Sequence, residues 1–187
     1  MKGNKLLVGF LFFGVIPFSW GFPQAGDYKV KVSHGPFAKT ISLTDIQQHN
    51  TDEWKHIMQR ELVKPVNFAG HYRLYISKNG ELPKECGDER WVCGWIIDKT
   101  TGQVVSELPE FNGNNAYYSY HDNGTPISED FAPDFYPIST MLWMNGETAP
   151  RSNPDATKCN YIAYNFTKNT FTTLEVGEAC EVKHGNW

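Results

Sequence analysis

The sequence lacks the motifs that would assign it to an enzyme class. No serine lies in a Gly-x-Ser-x-Gly turn, no cofactor-binding fingerprint is present, and no spacing supplies a complete catalytic constellation. Low-complexity tracts are absent as well. Assigning an active site requires a motif in its expected structural context. These absences therefore disfavour an enzyme, and we predict neither a cofactor nor a bound metal.

Positive charge is also in short supply. The chain has 17 Lys and Arg against 21 Asp and Glu, which gives a formal net charge of −4. An acidic chain of this size is poorly suited to nucleic acid or to an anionic membrane surface. It is better suited to a positively charged protein partner, since complementary charge speeds and steers encounter.

The N-terminus carries the features of an export signal. Residues 6–18 are almost wholly apolar, follow the positive charges of Lys2 and Lys5, and precede the small residues Ser19 and Gly21. The run is shorter than the roughly 20 residues of a membrane-spanning helix. We predict that residues 1–21 are a cleaved signal peptide, that the protein reaches the periplasm, and that residues 22–187 form one domain. The alternative is an uncleaved membrane anchor.

Cysteine is scarce but even in number. The four cysteines, Cys86, Cys93, Cys159 and Cys180, all follow the predicted signal. In an exported chain this predicts two disulfides, for which three pairings exist. Sequence order favours Cys86 with Cys93 and Cys159 with Cys180. The alternative, a zinc site, lacks the usual two-residue spacing.

One amphipathic helix is predicted near the N-terminus of the domain. Thr44 with Gln47 matches a capping box, and Thr51 can cap a second helix start. Between Asp52 and Leu62, apolar residues recur three and four positions apart, which is typical of a helix with one buried face. We expect Trp54 on that face to be a core residue.

The rest of the chain predicts short strands. Extended segments are expected at 28–32, 67–76, 117–120 and 138–144, and two hairpins at 91–105 and 161–176. Residues 108–137 form the least regular part. The fold class is therefore mainly β, a β-rich α+β domain: an antiparallel sheet or half-closed barrel of six to seven short strands with one amphipathic helix near the N-terminus.

A six-residue motif, Asn67-Phe68-Ala69-Gly70-His71-Tyr72, precedes a Cys-containing strand, an Asp-x-x-x-Gly turn and a late Cys-x-Tyr hairpin. In this the chain resembles a set of short exported bacterial proteins that share an Asn-Phe-Ala-Gly-His-Tyr motif. The resemblance extends over residues 52–174. It implies an exported β domain and carries over no catalytic residue.

Two groups of residues could support chemistry. His71 could act as a general base or metal ligand, but a buried histidine bonded to backbone is favoured. Gly70 indicates a bulge or a close backbone approach. His121 and Asp122, with Glu129, Asp130 and Asp134, could hold a hard cation, but a solvated acidic loop is favoured.

Aromatic residues within the irregular segment indicate a contact surface. Tyrosines in loops give rigid contact area, although they can equally fill a satellite core. We therefore predict a partner-binding surface formed by Tyr117, Tyr118, Tyr120, His121, Asp122, Glu129, Asp130 and Asp134. The leading hypothesis is a periplasmic immunity or inhibitor protein that occludes a toxin or envelope hydrolase. The alternatives are a small envelope hydrolase or metal-dependent enzyme, and a structural or stress-response envelope protein.

Overall fold

The computed structural model describes residues 21–78, 80–119, 131–177, 180 and 182. Helix α1 (Asp52–Leu62) begins where the Thr51 hydroxyl accepts a hydrogen bond from the Trp54 amide at 3.1 Å. Its buried face includes Trp54 and Leu62, so the predicted helix and cap are confirmed. A one-turn helix, α2, spans Pro83–Cys86. No helix among the described residues has the length and apolarity needed to cross a membrane.

The described strands form three antiparallel sheets. One has the order β1-β3-β4, from β1 (Tyr72–Ile76), β3 (Gly94–Asp98) and β4 (Gln103–Glu107). A second pairs β2 (Trp91–Val92) with β5 (Tyr117–Tyr118). The third has the order β6-β7-β8-β9, from β6 (Ala132–Phe135), β7 (Met141–Thr148), β8 (Lys158–Thr167) and β9 (Thr170–Val176). The mainly β class and both hairpins are confirmed, and within the described residues no sheet closes into a barrel.

Two clusters of buried side chains hold these layers together. In one, α1 packs on the three-stranded sheet, where Trp54 meets Trp95 edge-on with ring centroids 6.1 Å apart. In the other, Leu74 and Ile96 pack with Leu142 and Phe166 of the four-stranded sheet. The three-stranded sheet therefore packs against α1 on one face and against the four-stranded sheet on the other. Burying one such side chain contributes about 1.5–3 kcal/mol to stability.

Two disulfides link neighbouring parts of the chain. Cys86 of α2 bonds Cys93, which lies between β2 and β3, and Cys159 of β8 bonds Cys180 beyond β9. No cysteine is left free. The pairing that sequence order favours is confirmed, and the zinc alternative is wrong.

The predicted strand over residues 28–32 is not formed. Lys29 makes an isolated bridge to Ser139, and the Val30 amide donates to the Ile138 carbonyl. A few residues on, the Ser33 amide donates to Gly70. The alternating pattern therefore belongs to an extended segment that connects two loops and does not join a sheet.

Candidate functional site

The first part of the six-residue motif forms a tight turn before β1, whereas the sequence pattern predicted a strand from residue 67. The Asn67 carboxamide binds both backbone groups of Leu74, and each of the two hydrogen bonds is 2.8 Å long. Phe68 is fully buried against Phe166, with ring centroids 5.4 Å apart. These two residues thus attach the turn to β1 and to the core.

Gly70 has a steric reason to be glycine. Its φ is +85°, and an added Cβ would lie 2.9 Å from the carbonyl oxygen of Lys31. The positive φ and the short distance both make any side chain at this position energetically unfavourable. The expected close backbone approach is therefore present, and it fixes the turn against the extended segment.

His71 is partly exposed and lies beside the buried carboxylate of Asp98. Its side chain is 36% exposed, and its Nε2 lies 3.7 Å from Oδ1 of Asp98. The same carboxylate oxygen accepts hydrogen bonds from the Thr100 amide at 2.8 Å and hydroxyl at 2.6 Å. The favoured interpretation of His71 as a buried residue therefore does not describe this ring.

Tyr72, the last residue of the motif, packs between His71 and the core residue Phe166. Its ring lies against His71 with centroids 4.1 Å apart, and its hydroxyl donates to Asn169 at 2.9 Å. Burial raises the pKa of Tyr72, and the negative charge of Asp98 raises it further. The phenol is therefore held in its protonated, donating form.

Two of the predicted contact tyrosines are core residues. Tyr117 is 0% exposed and stacks on Phe131, with centroids 4.9 Å apart. Tyr118 is 5% exposed and stacks on Trp91 at 4.1 Å. Neither ring offers surface to a partner, so the core alternative describes these two, and they are removed from the predicted contact surface.

The other predicted contact residues fall into two groups. Tyr120, His121, Asp122, Glu129 and Asp130 lie outside the described residues. Asp134 is exposed on the edge strand β6, directly opposite Trp143 of β7. It is the one predicted contact residue that the structure places at the described surface.

Asp134 belongs to an acidic aromatic patch on the outer side of the four-stranded sheet. Its members are Asp134, Tyr136, Trp143, Tyr161 and Glu175. Asp134 lies opposite Trp143, Trp143 opposite Ala163, and Ala163 opposite Glu175. Directly opposed side chains share a face of the sheet, so these residues form one row. Leu142 and Met144 point to the opposite face and into the core. We call this patch the acidic aromatic face.

The aromatic members of this face are ordered by contact. The ring of Trp143 stacks on that of Tyr161, with centroids 4.7 Å apart and an interplanar angle of 19°. Tyr161 is 43% exposed and Tyr136 is 44% exposed. A hydrogen bond from Tyr136 to Asp134 raises the pKa of that phenol. The face thus combines rigid aromatic area with two carboxylates.

The sequence contains a pattern that indicates this face, but the contact surface predicted from the sequence lies in the irregular segment instead. In β7 and β8, Trp143 and Tyr161 alternate with the buried residues Leu142, Met144 and Ile162. Alternation of this kind places every second side chain on the far side of the sheet. Trp143 lies in a predicted extended segment and Tyr161 in a predicted hairpin, but the sequence does not pair the two segments, so the shared face was not predicted.

No group of three or more histidine, cysteine or acidic side chains is positioned to hold a metal ion within the described part of the chain. Comparison of the sequence with models of known protein families found no match. Curated proteins and solved structures likewise yielded none.

Proposed function

We propose that the protein is an exported inhibitor, an immunity protein that binds a toxin acting in the cell envelope and occludes its functional surface. The observation that carries this proposal is the acidic aromatic face. Rigid aromatic residues are enriched among the residues that dominate protein interfaces, and flanking carboxylates select a positively charged partner.

The face suits occlusion because it is preorganised. Trp143 and Tyr161 are held by each other, and both project from long central strands of a four-stranded sheet. Such side chains lose little conformational freedom on binding, which leaves more of the contact energy as affinity. The two disulfides stabilise the scaffold in an oxidising compartment. The proposed contact surface is thus on the four-stranded sheet and differs from the partner-binding surface predicted from the sequence, with Asp134 common to both.

The test starts from the full-length chain, exported and purified in its oxidised form. N-terminal sequencing should show Phe22 as the first residue if the proposed signal peptide is cleaved. The purified protein is then used to capture a partner from periplasmic extract, and separately from the product of the adjacent gene. The captured toxin should lose activity on titration with the protein at a one-to-one ratio.

The contact surface is tested with a double variant, Trp143→Ala with Tyr161→Ala. Each truncation at an interface centre costs about 2 kcal/mol or more, so the double variant should bind the toxin at least 100-fold more weakly. A control, Ile46→Ala, changes a residue that is 84% exposed and outside the four-stranded sheet. Equal binding by both variants, or toxin activity unaffected by a stable complex, would show that this proposal is wrong.

A second function, an envelope hydrolase, is favoured by one observation. His71 is partly exposed and its Nε2 lies 3.7 Å from Oδ1 of Asp98, and a carboxylate beside an imidazole is a common arrangement for a general base that activates water. Its test is a screen of envelope ester and amide substrates. Turnover should fall at least 100-fold in His71→Ala and should depend on pH in the wild type. No turnover in the wild type would eliminate this candidate.

A further inference from the structure

A partly open cleft of about 850 Å³ lies between the end of α1, the edge strand β1 and the edge strand β6. Its volume is within the range of about 300–1,000 Å³ usual for small-molecule sites. It is separate from the acidic aromatic face, although Pro133 and Phe135 of β6 contribute to its wall.

One wall of the cleft is cationic. Arg60 and Lys64 come from the end of α1 and the residues after it, and Arg73 and Lys78 come from β1 and its end. Four positive side chains therefore line one cavity in a chain whose net charge is −4. Their sign is opposite to that of the molecule as a whole.

The carboxylates in the same wall are already paired. Glu61 is 2% exposed, and its oxygens accept from Arg73 Nε at 2.9 Å and from Lys64 Nζ at 2.5 Å. Glu81 accepts from the Tyr75 hydroxyl at 2.5 Å. Two carboxylates against four cations leave a surplus of two positive charges.

Arg73 is held in place on more than one side. Besides its contacts with Glu61, its Nη1 donates to the Pro65 carbonyl at 3.3 Å. Burial and the hydrogen bond to Glu81 also hold the pKa of the nearby Tyr75 well above its usual value. Arg73 is therefore a fixed positive side chain in the lining of the cleft.

The rest of the lining is largely apolar and includes Leu74, Ile76, Val92, Pro133 and Phe135. An occupant complementary to both parts of the lining carries an anionic group and an apolar body. We propose that the cleft binds a small amphiphilic organic anion, a carboxylate, sulfonate or phosphate attached to an apolar ring or chain.

Two fluorescent probes that share an apolar ring system test this proposal. Anilinonaphthalene sulfonate carries the anionic group, and N-phenylnaphthylamine lacks it. The sulfonate should bind the folded, oxidised protein saturably at one site and at least tenfold more tightly than the amine. Absence of saturable sulfonate binding, or equal affinity for the two probes, would overturn the proposal.

Matched charge variants locate the site. Arg60→Gln with Lys78→Gln removes two positive charges from the cleft wall, and Lys39→Gln with Lys158→Gln removes two from exposed positions outside it. The cleft variant should weaken sulfonate binding at least tenfold, whereas the control should change it less than twofold. Near-ultraviolet circular dichroism verifies that both remain folded. Equal weakening in the two variants would show a general charge effect and refute the site.

Discussion

The carboxamide of Asn67 pairs with the backbone of Leu74 as a neighbouring strand would. Its Nδ2 donates to the Leu74 carbonyl, and its Oδ1 accepts from the Leu74 amide, both at 2.8 Å. A single side chain thereby forms hydrogen bonds with the backbone N–H and C=O of Leu74 at the outer edge of β1. These groups would otherwise be open to pairing with a strand of another chain.

Replacing Asn67 with leucine should destabilise the protein. Both backbone groups of Leu74, a residue 2% exposed, would lose their partners. Each unsatisfied buried group costs about 1–3 kcal/mol, so we expect a total loss of about 2–6 kcal/mol in urea unfolding. The control Asn153→Ala changes an exposed asparagine that makes no side-chain cap bond, and should stay within about 0.5 kcal/mol of the wild type. Similar values for the two variants would contradict this role for Asn67.

Gly70→Ala should lower the thermal midpoint, because the new Cβ would lie 2.9 Å from the Lys31 carbonyl at a φ of +85°. Strain of this kind costs about 1–3 kcal/mol. Gly26→Ala is the matched control, since the nearest atom to its added Cβ is the Lys29 Cε at 3.8 Å. Calorimetry of both variants separates backbone strain at Gly70 from the general effect of adding a methyl group. An unchanged midpoint for Gly70→Ala would contradict the strain argument.

The two disulfides should differ in their contribution to stability. Their cysteines are separated by 7 positions for Cys86 with Cys93 and by 21 for Cys159 with Cys180. Loop-closure entropy then predicts losses of about 2.5 and about 3.4 kcal/mol when each pair is replaced by alanine. Urea unfolding of the two double variants measures the difference. A larger loss for the shorter loop would show that packing around Cys86, which is fully buried, dominates over chain entropy.

The protein should lose stability in alkaline solution. Tyr164 is 5% exposed, and burial raises its pKa to about 12. A pKa raised on folding means that the folded state keeps its proton while the unfolded chain releases it above about pH 10. Stability from this group is therefore complete below about pH 10 and is lost as the pH rises towards 12.

Tyr164→Phe should reduce the slope with which the unfolding free energy falls with pH. The reduction should be at most about 1.4 kcal/mol per pH unit, which corresponds to one proton. This slope is obtained from unfolding free energies measured between about pH 8 and about pH 11.5. The range begins below the titration window of about pH 10 to 12 and covers most of it. The control is Tyr161→Phe, which alters an exposed phenol, and its slope should match that of the wild type. A slope unchanged by Tyr164→Phe would place the loss of stability elsewhere.

The features that the sequence predicted correctly are mainly local. The Thr51 cap and the buried stripe of α1 depend on neighbours within one or two turns. The hairpin β8–β9 depends on two adjacent strands and the turn between them. Each signal lies within a short window, so tertiary context did not override it.

The features that it predicted wrongly depend on distant partners. The alternation over residues 28–32 fits a strand, but its hydrogen bonds go to Ile138 and Ser139, and no neighbouring strand runs beside it. Tyr117 is buried by residues distant in sequence: it stacks on Phe131 and lies close to Gly146 of β7, where an added Cβ would be 3.2 Å from Tyr117 Cδ1. Nothing near Tyr117 in sequence distinguishes this burial from a surface role, since the position of β7 decides it.

The bond between Cys159 and Cys180 also determines how the domain carries mechanical load. Strand β9 lies wholly inside the covalent loop that this bond closes. A force applied beyond Cys180 passes through the sulfurs to the start of β8, where Cys159 is paired with Glu147 of β7. Tension on the C-terminus therefore bypasses β9, and the β8–β9 hairpin cannot be peeled open from that end while the bond is intact.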